Sequence, residues 1–269
     1  MLMARANIYY IPGLIWHITH RCHKKEFLLK FAKDRRSWLK WLFESKKRFG
    51  TRILNYTVTS NHVHLLVQDD GGRDVLPNSI QLTAGRTAQE YNQRKKRKGA
   101  FWEDRYHATA VQNDDHLVRC LVYIDLNMVR AGVVNHPSEW PFGGYNEIQT
   151  PPRKYSLIDR GRLMTLLGFD DSDRFSKTYQ DWVEYILCTN GHRREAKWTQ
   201  SIAVGSKVFV EDIKDKLGYR AIGRKVVGTG DGYELKENVA SYSADFGAKM
   251  STLRPENNFK WRVYEMNST

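Results

Sequence analysis

With 269 residues, 41% of them hydrophobic and 12% aromatic, the chain can bury a sizeable core, as one large domain or as a domain of about 150 residues with a smaller appendage. No apolar run reaches the roughly 18 residues of a membrane span, and Met1 to Ile11 lacks the charged start, apolar run and small-residue cleavage site of a secretory signal. A formal net charge of +13 points to a polyanionic partner, and the three scattered cysteines, Cys22, Cys120 and Cys188, suit a reducing cytoplasm and argue against a paired-thiolate zinc site.

Pro12-Gly13 breaks the N-terminal segment, and Leu14 to Thr19 reads as a strand with Trp16 and Ile18 on one face and His17 and Thr19 on the other. A basic turn follows at Arg21, His23, Lys24 and Lys25. From Glu26 to Phe49 the spacing turns helical: Phe27, Phe31, Trp38, Leu42 and Phe49 line one stripe, and Gly50 is the stop. Asn55 to Val67 then reads as strand, polar turn at Ser60-Asn61, and strand. In the second of these strands His62, His64 and Leu66 share one face, and Val63, Leu65 and Val67 the other. Two imidazoles side by side on a strand offer two lone pairs to a divalent ion, which still needs a further ligand.

Asp69-Asp70-Gly71-Gly72 opens a loop, and a second helix is expected from about Pro77 or Ser79 to Arg94. It runs out into Arg94-Lys95-Lys96-Arg97-Lys98, a charge run read as a backbone-phosphate contact. Phe101 to His107 mixes aromatics with charge, as surfaces that bind nucleic-acid strands do, and Ala108 to Val111 reads as a strand. Asn113-Asp114-Asp115 caps a helix spanning about Asp114 to Ala131, with Gly132 beyond it. Leu117, Leu121, Ile124 and Met128 are its buried stripe; Arg119, Tyr123, Asn127 and Arg130 fall on another face. That face presents a phenol, a carboxamide one turn away and flanking guanidinium groups, the candidates for nucleophile and third ligand. Thr150-Pro151-Pro152 reads as a linker.

Beyond the linker, helical stripes cover Ser156 to Leu167 and Asp173 to Leu187, the second with Phe175, Tyr179, Trp182, Val183 and Ile186. Thr199 to Val204, Gly205-Ser206 and Lys207 to Leu217 read as helix, turn and capped helix, a pattern shared by helix-turn-helix readers of DNA and by any helical hairpin. Arg220 to Lys236 suggests a β-hairpin centred on Gly228 to Gly232, and Ser241 to Thr269 an irregular tail. The expected division is residues 1–150 as the catalytic domain and 151–269 as a mainly helical extension with a hairpin and tail.

Three blocks, Asn61-His62-Val63-His64-Leu65-Leu66, Phe101-Trp102-Glu103-Asp104-Arg105-Tyr106 and Tyr123-Ile124-Asp125-Leu126-Asn127-Met128-Val129-Arg130-Ala131-Gly132, closely resemble the REP-associated tyrosine transposases. These are a domesticated branch of the single-tyrosine transposases within the HUH endonuclease superfamily. Pro12-Gly13 with Trp16-His17-Ile18-Thr19-His20-Arg21 is similar to that family's opening strand, so the resemblance spans about residues 10 to 145. It implies an α+β fold: an antiparallel sheet of ferredoxin-like topology with helices on its faces. It implies that His62, His64 and Asn127 are ligands of Mg2+ or Mn2+ and that Tyr123 is the nucleophile. The implied reaction cleaves single-stranded DNA at a palindromic hairpin through a 5′-phosphotyrosine bond and rejoins it by the reverse step. Arg5, Arg21, Arg94, Lys95, Lys96, Arg97, Lys98, Arg105, Arg119 and Arg130 become candidate DNA contacts. The chain departs from the family at Thr59-Ser60, where Met-Pro is common, at Met128, where Pro often follows the Asn, and at Cys22, where Gly is usual. Hairpin DNA is thus the expected partner, with no membrane and a cytoplasmic location. The protein acts as a monomer if the tyrosine helix meets its own chain's histidines, and as a homodimer if helices are exchanged.

Two other readings compete. His17-Ile18-Thr19 and His107-Ala108-Thr109 match the His-x-Thr pairs of metal-free two-histidine cyclic phosphoesterases, which would leave His62, His64 and the tyrosine face without a role. The chain also suits a domesticated hairpin-binding regulator that keeps the site without turnover.

Overall fold

β1 (Ile15–Arg21) is the third strand of a seven-stranded sheet of order β2-β3-β1-β4-β5-β7-β6, with β2 Arg52–Val58, β3 His62–Gln68, β4 His107–Val111, β5 Ser201–Gly205, β6 Lys225–Thr229 and β7 Gly232–Lys236. This computed structural model describes residues 11–236 except 70, 71, 73, 104 and 190–192. Arg5, and the whole tail from Ser241, lie outside the described residues. The helices are α1 Ala32–Phe49, α2 Val75–Arg94, α3 Asp115–Asp125, α4 Asn127–Arg130, α5 Tyr145–Gln149, α6 Arg160–Leu166, α7 Ser172–Cys188, α8 Lys197–Gln200 and α9 Lys207–Leu217. The α+β class follows the expectation, and no helix among the described residues is long and apolar enough to cross a membrane.

Both faces of the central strands are buried, so alternation sorts side chains between two helical layers rather than between core and water. Ile18, Val63 and Leu65 join a core that includes Trp38 and Leu42 of α1 and Leu76 and Ile80 of α2. The other face carries Asn55, Thr57, His64, His17 and Thr109, all buried, beneath α3. Polar groups removed from water there must find partners. Thr57 Oγ1 donates to the Ile124 carbonyl at 3.1 Å, and Asn55 Nδ2 donates to Asp125 Oδ1 at 2.9 Å. Tyr179 of α7 donates to the other Asp125 oxygen at 2.6 Å.

α1 begins at Ala32, six residues after the expected Glu26. Lys24 and Lys25 adopt φ of 50° and 60°, which ends a short 3-10 turn at His23–Lys25 and prevents a continuous helix. Leu28 and Leu29 enter the core in place of Phe27 and Phe31, which are 65% and 57% exposed. At its far end Gly50, at φ 73°, donates its N–H to the Lys46 carbonyl and closes the helix as expected. α2 starts at Val75, slightly earlier than expected.

The helix expected from Asp114 to Ala131 is two: α3 ends at Asp125, and Leu126 (φ −77°, ψ 5°) separates it from α4. Hydrogen bonds from Leu126 N–H to Val122 and from Arg130 N–H to Leu126 bridge the break, so Tyr123 and Asn127 remain one turn apart.

The helix expected over Thr199 to Val204 stops at Gln200, the end of α8, and the helix-turn-helix reading falls with it. Ser201-Ile202-Ala203-Val204-Gly205 is buried throughout and pairs in parallel with β4, Ala110 opposite Ala203 and Val111 opposite Val204. A short, apolar, β-branched run buried on both faces belongs in a sheet. A Cβ at Gly205 would lie 2.5 Å from Phe209 and 2.6 Å from Gln112 Oε1, so any larger residue there must displace those side chains. The hairpin β6–β7 forms as expected and extends the same sheet. Met1–Glu237 forms one compact unit, so the sheet that begins in the first 150 residues is completed by residues beyond them.

Burial pushes the Asp125 carboxyl up to about 7, against the opposing hydrogen bonds from Tyr179 and Asn55. Because the folded value lies above the unfolded one, near 3.9, the unfolded chain releases this proton first. The contribution is therefore most favourable below about pH 4 and is lost as pH rises to about 7. Urea unfolding at pH 4.5 and 7.5 checks this: Asp125→Asn narrows the difference in stability between the two, and an unchanged difference would show Asp125 ionised at both.

Candidate active site

The polar face of β1, β3 and β4 gathers the titratable side chains. Register sets Arg21 opposite His62 and Thr19 opposite His64, and on the other side of β1 it sets His107 opposite Thr19 and Thr109 opposite His17. Directly paired residues share a face, so these side chains form one row. α3 lies over it, started by Asp114, whose side chain accepts from the His116 N–H at 2.8 Å.

His64 is the centre of the row. Its Nδ1 lies 2.9 Å from His17 Nε2, and its Nε2 lies 2.9 Å from the Asn127 carboxamide nitrogen. The His17 and His64 rings stack at 5.1 Å, and the Tyr123 ring meets both edge-on, at 5.9 Å from His64 and 6.2 Å from His17. His62 stands 5.0 Å from His64, its Nδ1 held by Asn61 Oδ1 at 2.7 Å and Thr59 Oγ1 at 3.0 Å. Asn61 Oδ1 can only accept, so Nδ1 carries the His62 proton and Nε2 keeps its lone pair. The Ser60-Asn61 turn thus orients the imidazole that follows it.

Burial drives the three histidines toward the neutral form: His17 down to about 3, His62 down to about 4, and His64 well below the ordinary imidazole value. Arg21, Arg130 and Arg194 add to the burial effect at His62. Burial raises the Tyr123 phenol above its usual range, and Arg130 and Arg194 oppose that rise. The Arg130 guanidinium lies 4.0 Å from the Tyr123 ring centroid and donates to the Tyr123 carbonyl at 2.7 Å.

These groups open on a cleft of about 830 Å³ lined by His62, His64, Tyr123 and Asn127, together with Lys25, Glu103 and the arginines Arg21, Arg105, Arg130 and Arg194. Three of the arginines expected to contact DNA therefore stand at the cleft. Arg119 instead pairs with Asp231 at 2.8 Å. None of Arg94 to Lys98 lines the cleft. Arg94 pairs with buried Asp34, Lys95 lies over the Phe31 ring, and Arg97 pairs with Glu26 at 3.5 Å and donates to the Ala100 carbonyl. Lys96 and Lys98 are exposed.

Lys25, Arg194 and His17 are contributions that the sequence reading did not assign. His17 was visible only as the partner of Thr19 in a His-x-Thr pattern. It is fully buried against His64, and His107 bonds Thr109 and the Ser201 carbonyl. The two His-x-Thr strands are adjacent, yet His17 cannot meet a substrate, which removes the phosphoesterase geometry.

Among the described residues no three His, Cys, Asp or Glu side chains are grouped to hold an ion. The available donors are mixed: two neutral imidazoles and a carboxamide whose oxygen, after rotation of the amide, faces the same His64 nitrogen. That set suits a divalent transition ion completed by substrate oxygens.

The family model described as transposase IS200-like matches residues 11–127. Two solved structures are similar over part of the chain. One is a REP-associated tyrosine transposase bound to a REP hairpin, at 20% identity and TM-score 0.47, covering 55% of this chain and 87% of that one. The other is a candidate transposase from Deinococcus radiodurans R1, at 18% identity and TM-score 0.30, covering 40% of this chain and 84% of that one. No curated protein matches.

The imidazole environment has a direct readout. In the ion-free protein, nitrogen-15 NMR finds His62 and His17 neutral from pH 8 down to 5.5, because their folded values of about 4 and about 3 lie below that window. Each is depressed below the unfolded value near 6.5, so its contribution to stability is full above that pH and is lost as pH falls toward the folded value. Protonation of either ring above pH 6 would contradict the burial described.

Proposed function

We propose, from the match of residues 11–127 to the IS200-like transposase family model, that the protein is a transposase that cleaves and rejoins single-stranded DNA at hairpins through Tyr123. The observation that carries the reading is the meeting, within one chain, of the Tyr123 phenol, the His62 and His64 imidazoles and the Asn127 carboxamide in an arginine-lined cleft. The hairpin substrate rests on the motif resemblance.

Tyr123 attacks the scissile phosphorus through its phenolate oxygen. The bond to the 3′ oxygen breaks, that strand leaves as a 3′-hydroxyl after taking up a proton, and the other stays as a 5′-phosphotyrosine. Attack by a 3′-hydroxyl on the phosphotyrosine reverses the step and joins strands. Arg130 and Arg194 favour the phenolate and offset the phosphate charge. Lys25, Arg21 and Arg105 track the backbone on either side. His62, His64 and Asn127 would hold Mg2+ or Mn2+, which when bound supplies positive charge at the scissile phosphate; the two imidazoles favour Mn2+. Thr59 and Asn61 orient His62, and His17 orients His64. Phenol and imidazoles come from one chain, so a monomer has a full set of reacting groups.

Labelled hairpin oligonucleotides incubated with Mn2+ and resolved under denaturing conditions test the proposal. Wild-type protein yields a covalent band that chelation abolishes. Tyr123→Phe yields none while retaining affinity, and His64→Ala loses the band as well. Wild-type protein that binds hairpins yet never forms the band would make the chain a hairpin-binding regulator.

A further inference from the structure

Behind the nucleophile, on the side of α3 away from the β-sheet row, lies a second pocket of about 330 Å³. Val118 and Val122 of α3, with Leu126 just past its end, form one wall, and Trp182, Tyr185 and Ile186 of α7 the other. The spacings, four and four from Val118 to Leu126 across the Leu126 N–H to Val122 bond and three and one on α7, put each set on a single face. Its size falls at the low end of small-ligand pockets. Tyr185 is 68% exposed, an aromatic face left to solvent beside an apolar slot.

Two features say what enters. Tyr123 and Arg130 line both this pocket and the catalytic cleft, so the two spaces adjoin at those two side chains. Arg193 stands at the rim beside Arg130, while Arg119 there is held by Asp231. The carboxylates there are already answered: Lys197 pairs with Glu195 at 2.6 Å and with Asp231 at 2.5 Å, and Arg119 also pairs with Asp231. An apolar, aromatic slot under an arginine rim matches one nucleotide: a planar base inside, its phosphate outside. We infer that this pocket takes an unstacked base of the substrate strand, next to the phosphate at Tyr123. The inference rests on the single-stranded DNA reading and adds to it a base-binding role for α7.

The test compares dT15 with a 15-mer of abasic deoxyribose phosphates, each titrated against wild-type protein, Tyr185→Ala and Arg193→Ala over a range of salt. Tyr185 is exposed on its helix, so its truncation leaves the fold intact. Tyr185→Ala weakens dT15 about tenfold, leaves the abasic polymer unchanged and leaves the salt slope as it was, because a stacking surface and no charge was removed. Arg193→Ala weakens both polymers and reduces the slope. Equal effects of Tyr185→Ala on both polymers, or none on either, overturn the inference. So does a change in self-association with DNA affinity untouched, which would give the pocket to a second copy of the chain. The covalent-band assay separates the two failures. A band without base discrimination sinks the pocket alone, and discrimination without a band sinks the cleavage chemistry alone.

Discussion

A sheet whose two faces are both covered must do something with the polar side chains it turns inward, and here that requirement organises the molecule. One face of β1, β2, β3 and β4 carries Asn55, Thr57, His64, His17 and Thr109, all withdrawn from water. α3 supplies the Ile124 carbonyl to Thr57 and Asp125 to Asn55, α4 supplies Asn127 to His64, the Ser201 carbonyl of neighbouring β5 receives Thr109 at 2.7 Å, and His17 pairs with His64 within the sheet. A half-satisfied network of this kind would cost more than an apolar core. The helix that carries the tyrosine is therefore held in place by the same contacts that make the polar face tolerable, and the proposed chemistry sits where those contacts give way to the cleft.

That arrangement explains what could be read from the chain and what could not. Alternation in His62-Val63-His64-Leu65, the Asp114 cap and the Gly50 stop are local signals, and the structure follows them. The contacts that complete the site join distant positions: His17 to His64 across 47 residues, Tyr179 to Asp125 across 54, Asn127 to His64 across 63. No periodicity in one sequence encodes such pairs, so His17 looked like half of a different motif. Ser201 to Gly205 misled for a related reason. A short apolar run has no period of its own, and only the free edge of β4, itself built a hundred residues earlier, decides that it is a strand. The late start of α1 comes from Lys24 and Lys25 at positive φ, a conformation that their residue type does not announce.

Charge was legible as a total and not as a location. The excess of +13 announces a polyanion, and the densest run, Arg94 to Lys98, drew the eye. Arg94 nonetheless serves the buried carboxylate of Asp34, and Arg97 is engaged with Glu26 and the Ala100 carbonyl. The cations at the cleft come singly, from Arg21, Lys25, Arg105, Arg130 and Arg194, each set by a different element or loop. Folding thus gathers at the cleft cations that the sequence scatters, each fixed by its own scaffold.

The region beyond residue 150 is more than an appendage to this site. Tyr179 grips the end of α3 through Asp125, Asp231 of the β6–β7 turn grips its middle through Arg119, and the Trp198 ring stands 6.1 Å from that of Tyr123. With Arg130 over one ring face and two imidazoles at its edge, Tyr123 has little room to turn. Its reach must then come from the substrate. In the proposed reaction a strand bends into the cleft and presents its phosphate to a fixed phenol, which favours the flexible single-stranded flank of a hairpin over a stiff duplex. Pre-set geometry of this kind lowers the entropy cost of the attack. The strands past β4 also serve this end, since the β6–β7 turn brings Asp231 against Arg119 of the tyrosine helix.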